Sequence, residues 1–187
     1  MNAKIITWTL VGVLAVAGCI PSMNPVYLSQ DLVFDTSVIG MWRQPNSKET
    51  WEFAKRDNKS FNLVYTNEEG QQGKFIAHLA RIDGNLFLDL YPDEAQSNAV
   101  GFYKFHLVPI HTIYLVRRTS PNLELAAVNY PWLDDYLDDH PSEIQHATFA
   151  GRKLITAPTE QVQTFVLTHL DAFRTPFELE RAPQAEK

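Results

Sequence analysis

Asp89 and His78 are the first side chains in this chain with chemistry to offer. They lie in two runs, 75–82 and 85–91, joined at Asp83-Gly84-Asn85, a strong hairpin signal. Folding about Gly84 sets residue i opposite roughly 168 minus i. His78 then faces Leu90, and Asp89 stands one step off, within reach of a diagonal hydrogen bond. A carboxylate beside an imidazole is the start of a general-base relay, and Asp89 with His78 or His106 would supply one for a hydrolase. Alternation puts Asp89 on the face of Phe87 and Tyr91. Two environments fit that face: the inside of a barrel, with Asp89, His78 and Tyr91 turned towards a ligand, or a solvated outer surface.

Other candidates are weaker. His106 and His111 flank Pro109, and with His78 they make a conceivable imidazole metal site, but no H-x-H or H-E-x-x-H spacing supports it. Asp134, Asp135, Asp138 and Asp139 form an acidic helix face without the glycine-containing calcium-loop pattern, so a solvated face is the plainer expectation. Ser60, Ser97, Ser120 and Ser142 lack any G-x-S-x-G context, and the 8 glycines never cluster as a phosphate loop. No catalytic residue, metal or cofactor is therefore assigned. Trp42, Trp51 and Trp132 could line an apolar cavity or simply fill a core.

The last candidate is Cys19, the chain's single cysteine. A lone cysteine allows no intrachain disulfide and no cysteine-based structural zinc site. It stands at the end of a leader. Met1-Asn2-Ala3-Lys4 is a short positive start, and Ile5 to Gly18 is a run of 14 uncharged, mostly apolar residues. A spanning helix needs about 20 apolar residues, so this shorter run, ending in small residues, suits a cleaved signal peptide. Val16-Ala17-Gly18-Cys19 resembles the lipobox of bacterial lipoproteins: an aliphatic residue, two small ones, then cysteine. The resemblance implies that residues 1–18 are removed and that the thiol of Cys19 carries diacylglycerol. Ile20 in place of an aspartate implies, for a cell with two membranes, the outer membrane facing the periplasm. With one membrane, it implies the cell surface.

Charge agrees with a lipid anchor in place of an electrostatic one. The whole chain is at -6. Without Lys4, the one charged residue before Cys19, 15 Lys and Arg stand against 22 Asp and Glu, or -7. Such a chain has no electrostatic reason to hold nucleic acid, and it lacks a polybasic patch for anionic lipid.

These groups must be positioned by the rest of the chain. Residues 19–37 read as a tether, with Pro21 and Pro25, that could extend up to about 60 Å, although Leu32-Val33-Phe34 could pack onto the body instead. Residues 38–182 read as one mainly-β domain. Alternating runs cover 49–53, 61–65, 75–82, 86–90, 101–107, 112–118 and 123–128. Their spacing of about ten residues favours an antiparallel barrel or sandwich. Two helices come late. One covers 131–139, and one runs from Ala157 to about Asp171 with Thr156 as cap and Val162, Phe165, Val166 and Leu170 as its buried stripe. A strand pair at 144–149 and 153–156 lies between them, a short strand at 177–180 follows, and residues 183–187 read as a disordered tail.

Gly40-Met41-Trp42 is similar to the G-x-W of lipocalins and other calycins, whose tryptophan plugs the closed end of the barrel. A strand meander followed by a helix and a short strand also resembles that fold. Ala77-His78-Leu79 and Leu86 to Pro92 are similar to segments of uncharacterised bacterial lipoproteins, which implies a location but no activity. The combined expectation is a lipid-anchored, lipocalin-like barrel or half-barrel. Its partners are the membrane through Cys19 and either an apolar small molecule, bound by Trp42, Trp51, His78, Asp89 and Tyr91, or an envelope protein. A solid-cored interaction protein is the alternative.

Overall fold

The computed structural model describes residues 19–93, 107–149 and 151–182. The leader, His106, Ser97, most of the expected 101–107 strand and the tail lie outside these residues.

Among the described residues, twelve strands form one sheet. They are β1 (Ile20–Ser22), β2 (Leu32–Val33), β3 (Gly40–Arg43), β4 (Thr50–Lys55), β5 (Phe61–Thr66), β6 (Gln72–Ile82), β7 (Asn85–Pro92), β8 (His111–Arg118), β9 (Leu123–Ala127), β10 (His146–Phe149), β11 (Arg152–Ile155) and β12 (Thr175–Arg181). Helix α1 (Tyr130–Asp139) follows β9, and α2 (Thr159–Thr168) precedes a 3-10 turn at Leu170–Ala172. The order β8-β7-β6-β5-β4-β3-β12-β9 closes on itself because β9 also pairs with β8, giving an eight-stranded antiparallel barrel. Closure leaves these strands without a free edge along the paired stretch. The first part of β8 pairs instead with β1, which carries β11 and β10 away as a three-stranded flap.

Alternation along each strand separates two cores. The inward face carries Trp42, Phe53, Phe61, Leu63, Ala77, Leu79, Leu88, Leu123, Leu125 and Leu179, all buried inside the barrel. The outward face of β6 to β9 carries Ala80, Phe87, Ile113 and Ala126. It is covered by Ile20, Val26, Leu133, Leu137, Ile155, Val162, Phe165, Val166 and Phe173. An outward strand residue here is therefore often a buried one.

Three expectations change. The stretch from Ile20 is not a tether. Ile20, Pro21 and Ser22 are fully buried in β1, with Ile20 opposite Ile113, and Leu32-Val33 pairs with β6. Pro21 and Pro25 are compatible with an extended segment as well as with a free linker, and Ile20 and Val26 supply the apolar groups that hold it down. The folded unit thus begins near residue 20, not 38. The hairpin register is shifted by one from the expected sum: His78 stands opposite Asp89, not Leu90, because the turn is the two-residue Asp83-Gly84 between Ile82 and Asn85. Helix α2 is capped at Pro158 with no side-chain cap bond, so Thr156 does not serve that role.

Gly40 and Trp42 have distinct jobs. Gly40 has φ +133°, and a Cβ there would lie 2.6 Å from the Arg181 guanidinium. That guanidinium lies over the Trp42 ring, 4.4 Å from its centre, and donates to the carbonyls of Ile39 and Ser37. Trp42 is fully buried and donates through Nε1 to the Val38 carbonyl at 2.8 Å. The last strand is thereby latched over the first strand of the barrel by a cation–π contact and two charge-assisted bonds.

Candidate functional site

The residues singled out in the sequence divide between the two cores. Trp42 and Trp51 are inside the barrel. His78, Asp89 and Tyr91 are on its outer wall, yet Asp89 is 0 % exposed. The expected choice between a barrel interior and a solvated face misses this arrangement. Asp89 lies outside the barrel, beneath the segment that follows β1.

That segment runs across the wall and is held by polar groups. Asp89 Oδ2 accepts from the Val26 amide at 2.9 Å, and Asp89 Oδ1 accepts from His111 Nδ1 at 2.6 Å. His111 is nearly buried, and the ring of Tyr91 packs on it at 4.6 Å. The Tyr27 hydroxyl bonds His78 Nδ1 at 3.1 Å, with the two rings 4.6 Å apart. Burial holds the His78 pKa below its usual value, more than the nearby Asp89 and Asp57 carboxylates raise it. A neutral imidazole can then accept the phenol proton at Nδ1. Burial, with Asp89 adding, raises Tyr27 to about 12. The carboxylate–imidazole pair foreseen for Asp89 is thus made with His111, while His78 serves Tyr27.

As a catalytic relay the pair has little to work with. Ser22 stands opposite His111 across the β1–β8 pairing, but it is fully buried and its Oγ accepts the Asn24 amide. A substrate cannot reach a hydroxyl sealed in this way. Among the described residues no group of three or more His, Cys, Asp or Glu is placed to hold a metal ion. Two of the four clustered aspartates do structural work instead: Asp134 accepts the Lys153 amide and Asp138 pairs with its ammonium at 2.5 Å.

Inside the barrel, Trp51 is the centre of an aromatic group. Tyr65, Tyr114 and Phe177 lie 5.6, 6.1 and 6.0 Å from it, ring centre to ring centre. These three keep partial exposure, as does Phe75, whereas Phe53, Phe61 and the leucines beneath are sealed. Tyr65 donates to Glu49 at 2.7 Å. Burial first, then the neighbouring acidic groups, drives its phenol well above the ordinary range.

Cys19 borders this aromatic group. Continuing the β1–β8 register by one residue sets it opposite Tyr114. Burial pushes the Cys19 thiol up more than the Tyr114 hydroxyl and the Arg152 charge pull it down. A thiol kept protonated is a poor nucleophile, so the setting does not suit catalysis by Cys19. Burial likewise raises the Tyr114 phenol far above its usual value.

A groove of about 450 Å³ opens elsewhere, lined by Arg81, Asn85, Leu86, Leu115 and residues 116–119. Its cations are engaged: Arg118 pairs with Glu178 and Glu124, and Arg117 donates to the Phe173 carbonyl. Among the described residues no helix is long and apolar enough to cross a membrane.

Sequence reasoning noticed His111 but not its partnership with Asp89, and it missed Tyr27, Tyr114 and Phe177. The available signal for His111 was its alternation with Ile113 on β8, which is informative only once β8 is known to lie beside β7. No protein-family model, curated protein or solved structure matches this chain.

Proposed function

We propose that the chain is a non-enzymatic, lipid-anchored protein of the bacterial cell envelope whose barrel is a solid scaffold for an envelope partner. The observation that carries this reading is the filled barrel interior. Trp42, Phe53, Phe61, Leu63, Leu79, Leu88, Leu123, Leu125 and Leu179 are each no more than 1 % exposed. Space for a drug-sized ligand requires a cleft of a few hundred Å³ bordered by accessible groups, and side chains packed to this degree leave none among them. The sealed Asp89–His111 pair is the support for leaving catalysis out.

The anchor rests on the lipobox resemblance at Val16-Ala17-Gly18-Cys19. Two acyl chains would hold the protein stably where one is marginal. In a two-membrane cell the outer membrane facing the periplasm is the proposed place, and the cell surface otherwise. The G-x-W resemblance to lipocalins gains support from Trp42, buried and covered by Arg181 at one end of a closed barrel.

A second reading has its own observation. Tyr65, Tyr114 and Phe177, each partly exposed around the buried Trp51, form an aromatic cluster where one apolar group could lodge. In-cell crosslinking and native mass spectrometry of the gently purified protein separate the two. One dominant crosslinked envelope protein is the expected result. A stoichiometric copurified lipid, with no recurring protein partner, would replace the scaffold reading by the second.

A further inference from the structure

Resting on the reading of Cys19 as lipid-bearing, we infer that no spacer separates the lipid from the barrel. The domain is seated directly on the bilayer, and Phe149 at the end of β10 is its second contact with lipid. A lipoprotein with a free linker can stand well away from its membrane. Here the residue after Cys19 is already fully buried in β1, opposite Ile113, and continuing that register sets Cys19 opposite Tyr114. The anchor therefore fixes a side of the barrel and not merely a distance.

The neighbouring surface suits that placement. Ser22 stands opposite Ile155 in the parallel β1–β11 pairing, so continuing the register brings Cys19 level with Arg152, whose charge acts on the thiol. Arg152 in turn faces Phe149 across the β10–β11 hairpin. Adjacent strands lie about 4.8 Å apart, which puts the Phe149 backbone about 10 Å from that of Cys19. Phe149 is 64 % exposed, more than the other exposed large hydrophobics described. An aromatic ring flanked by a cation is the chemistry of the headgroup layer, where the ring takes apolar contact and the guanidinium meets phosphate. Acyl chains on Cys19 must enter the bilayer beside it, which makes lipid the occupant of this surface in preference to a second protein.

The test uses the full chain processed in a bacterial membrane, purified in detergent and reconstituted into phosphatidylethanolamine–phosphatidylglycerol vesicles. Two variants, Phe149→Cys and Glu52→Cys, each carry one added thiol for a nitroxide label. Glu52 is an exposed residue of β4, four strands from β8 around the barrel. Intact-mass analysis is expected to show diacylglycerol on Cys19, leaving one label per chain at the added thiol. The ratio of collisions with membrane-dissolved oxygen to collisions with an aqueous nickel chelate should be several-fold higher at residue 149 than at residue 52. An acylated Cys19 with equal, water-like ratios at both positions would overturn the direct seating and leave the lipid anchor standing. A mass showing Cys19 without lipid would overturn both.

Discussion

The barrel interior and the outer wall of β6 to β8 are both buried, but they are buried by different means. The interior is filled by apolar side chains that alternate inward from strands already bonded to one another. The outer wall is covered by separate pieces, namely β1, the segment after it, and the two helices, and polar side chains join them. Asp89 holds the Val26 amide, Asn24 donates to the Ala157 carbonyl, and Gln163 from α2 donates to both the Val26 carbonyl and Asp31. Apolar contact alone leaves such a segment free to slide, whereas each buried hydrogen bond is costly to leave unmade and so selects one register. The lesson is a division of labour: packing supplies bulk stability, and buried polar bonds supply the address of each covering segment.

Truncating the plug should break the interior hardest. Trp42→Ala removes a sealed ring and strands the Arg181 guanidinium above it. A loss of about 3–5 kcal/mol in urea unfolding is expected, with amide protection falling throughout the barrel. If protection fell only near β3 and β12, the interior would not be the cooperative unit described here.

Asp89→Ala should instead act locally. It leaves the Val26 amide and His111 Nδ1 without their acceptor, at about 1–3 kcal/mol for each abandoned donor. Hydrogen exchange should speed up in residues 20–33 before it does so in β4 and β5. Equal acceleration in both places would erase the distinction between clamp and core.

Gly40→Ala sets the smaller side of the interior. The φ of +133° and the 2.6 Å approach to Arg181 together should cost about 1–3 kcal/mol. Arg181→Ala in the same chain should relieve the clash but not the backbone strain, so a double-mutant cycle reads the two apart. Full additivity would mean that the guanidinium does not occupy the space above Gly40.

The smallest effect concerns pH. The folded state holds the His78 pKa below its ordinary 6.5, so the unfolded chain binds a proton there first. Stability from this group is present above pH 6.5 and is lost as pH falls from there through the lower folded value. Melting temperatures of wild type and His78→Gln should therefore converge on acidification. Curves that stayed parallel from pH 7.5 to pH 5 would show that His78 is not the neutral acceptor for Tyr27.

Much of the fold was legible. Period-two alternation marks β4 to β9, the Asp83-Gly84 turn marks the central hairpin, and the apolar stripe marks α2. These signals are local, because a strand or helix writes its period into neighbouring residues. The same alternation correctly put Asp89 on the face of Phe87 and Tyr91. It carries no information on what lies above that face, and so it missed the covering segment. Pro21 and Pro25 suggested a linker for a related reason: proline reports an extended backbone but not whether anything packs against it.

By itself, the sequence determined most of the elements, which side chains share a face of each strand, and the lone cysteine after a short apolar run. Tertiary structure alone decided that β12 joins β9 to β3 and so closes the barrel, that His111 and not His78 meets Asp89, and that Ile20 is buried in β1 with no linker before the body. Each of these depends on which strands become neighbours and in what register. Those choices are set by contacts between residues far apart in the chain, from the 22 positions between Asp89 and His111 to the 139 between Trp42 and Arg181, and no local pattern encodes them.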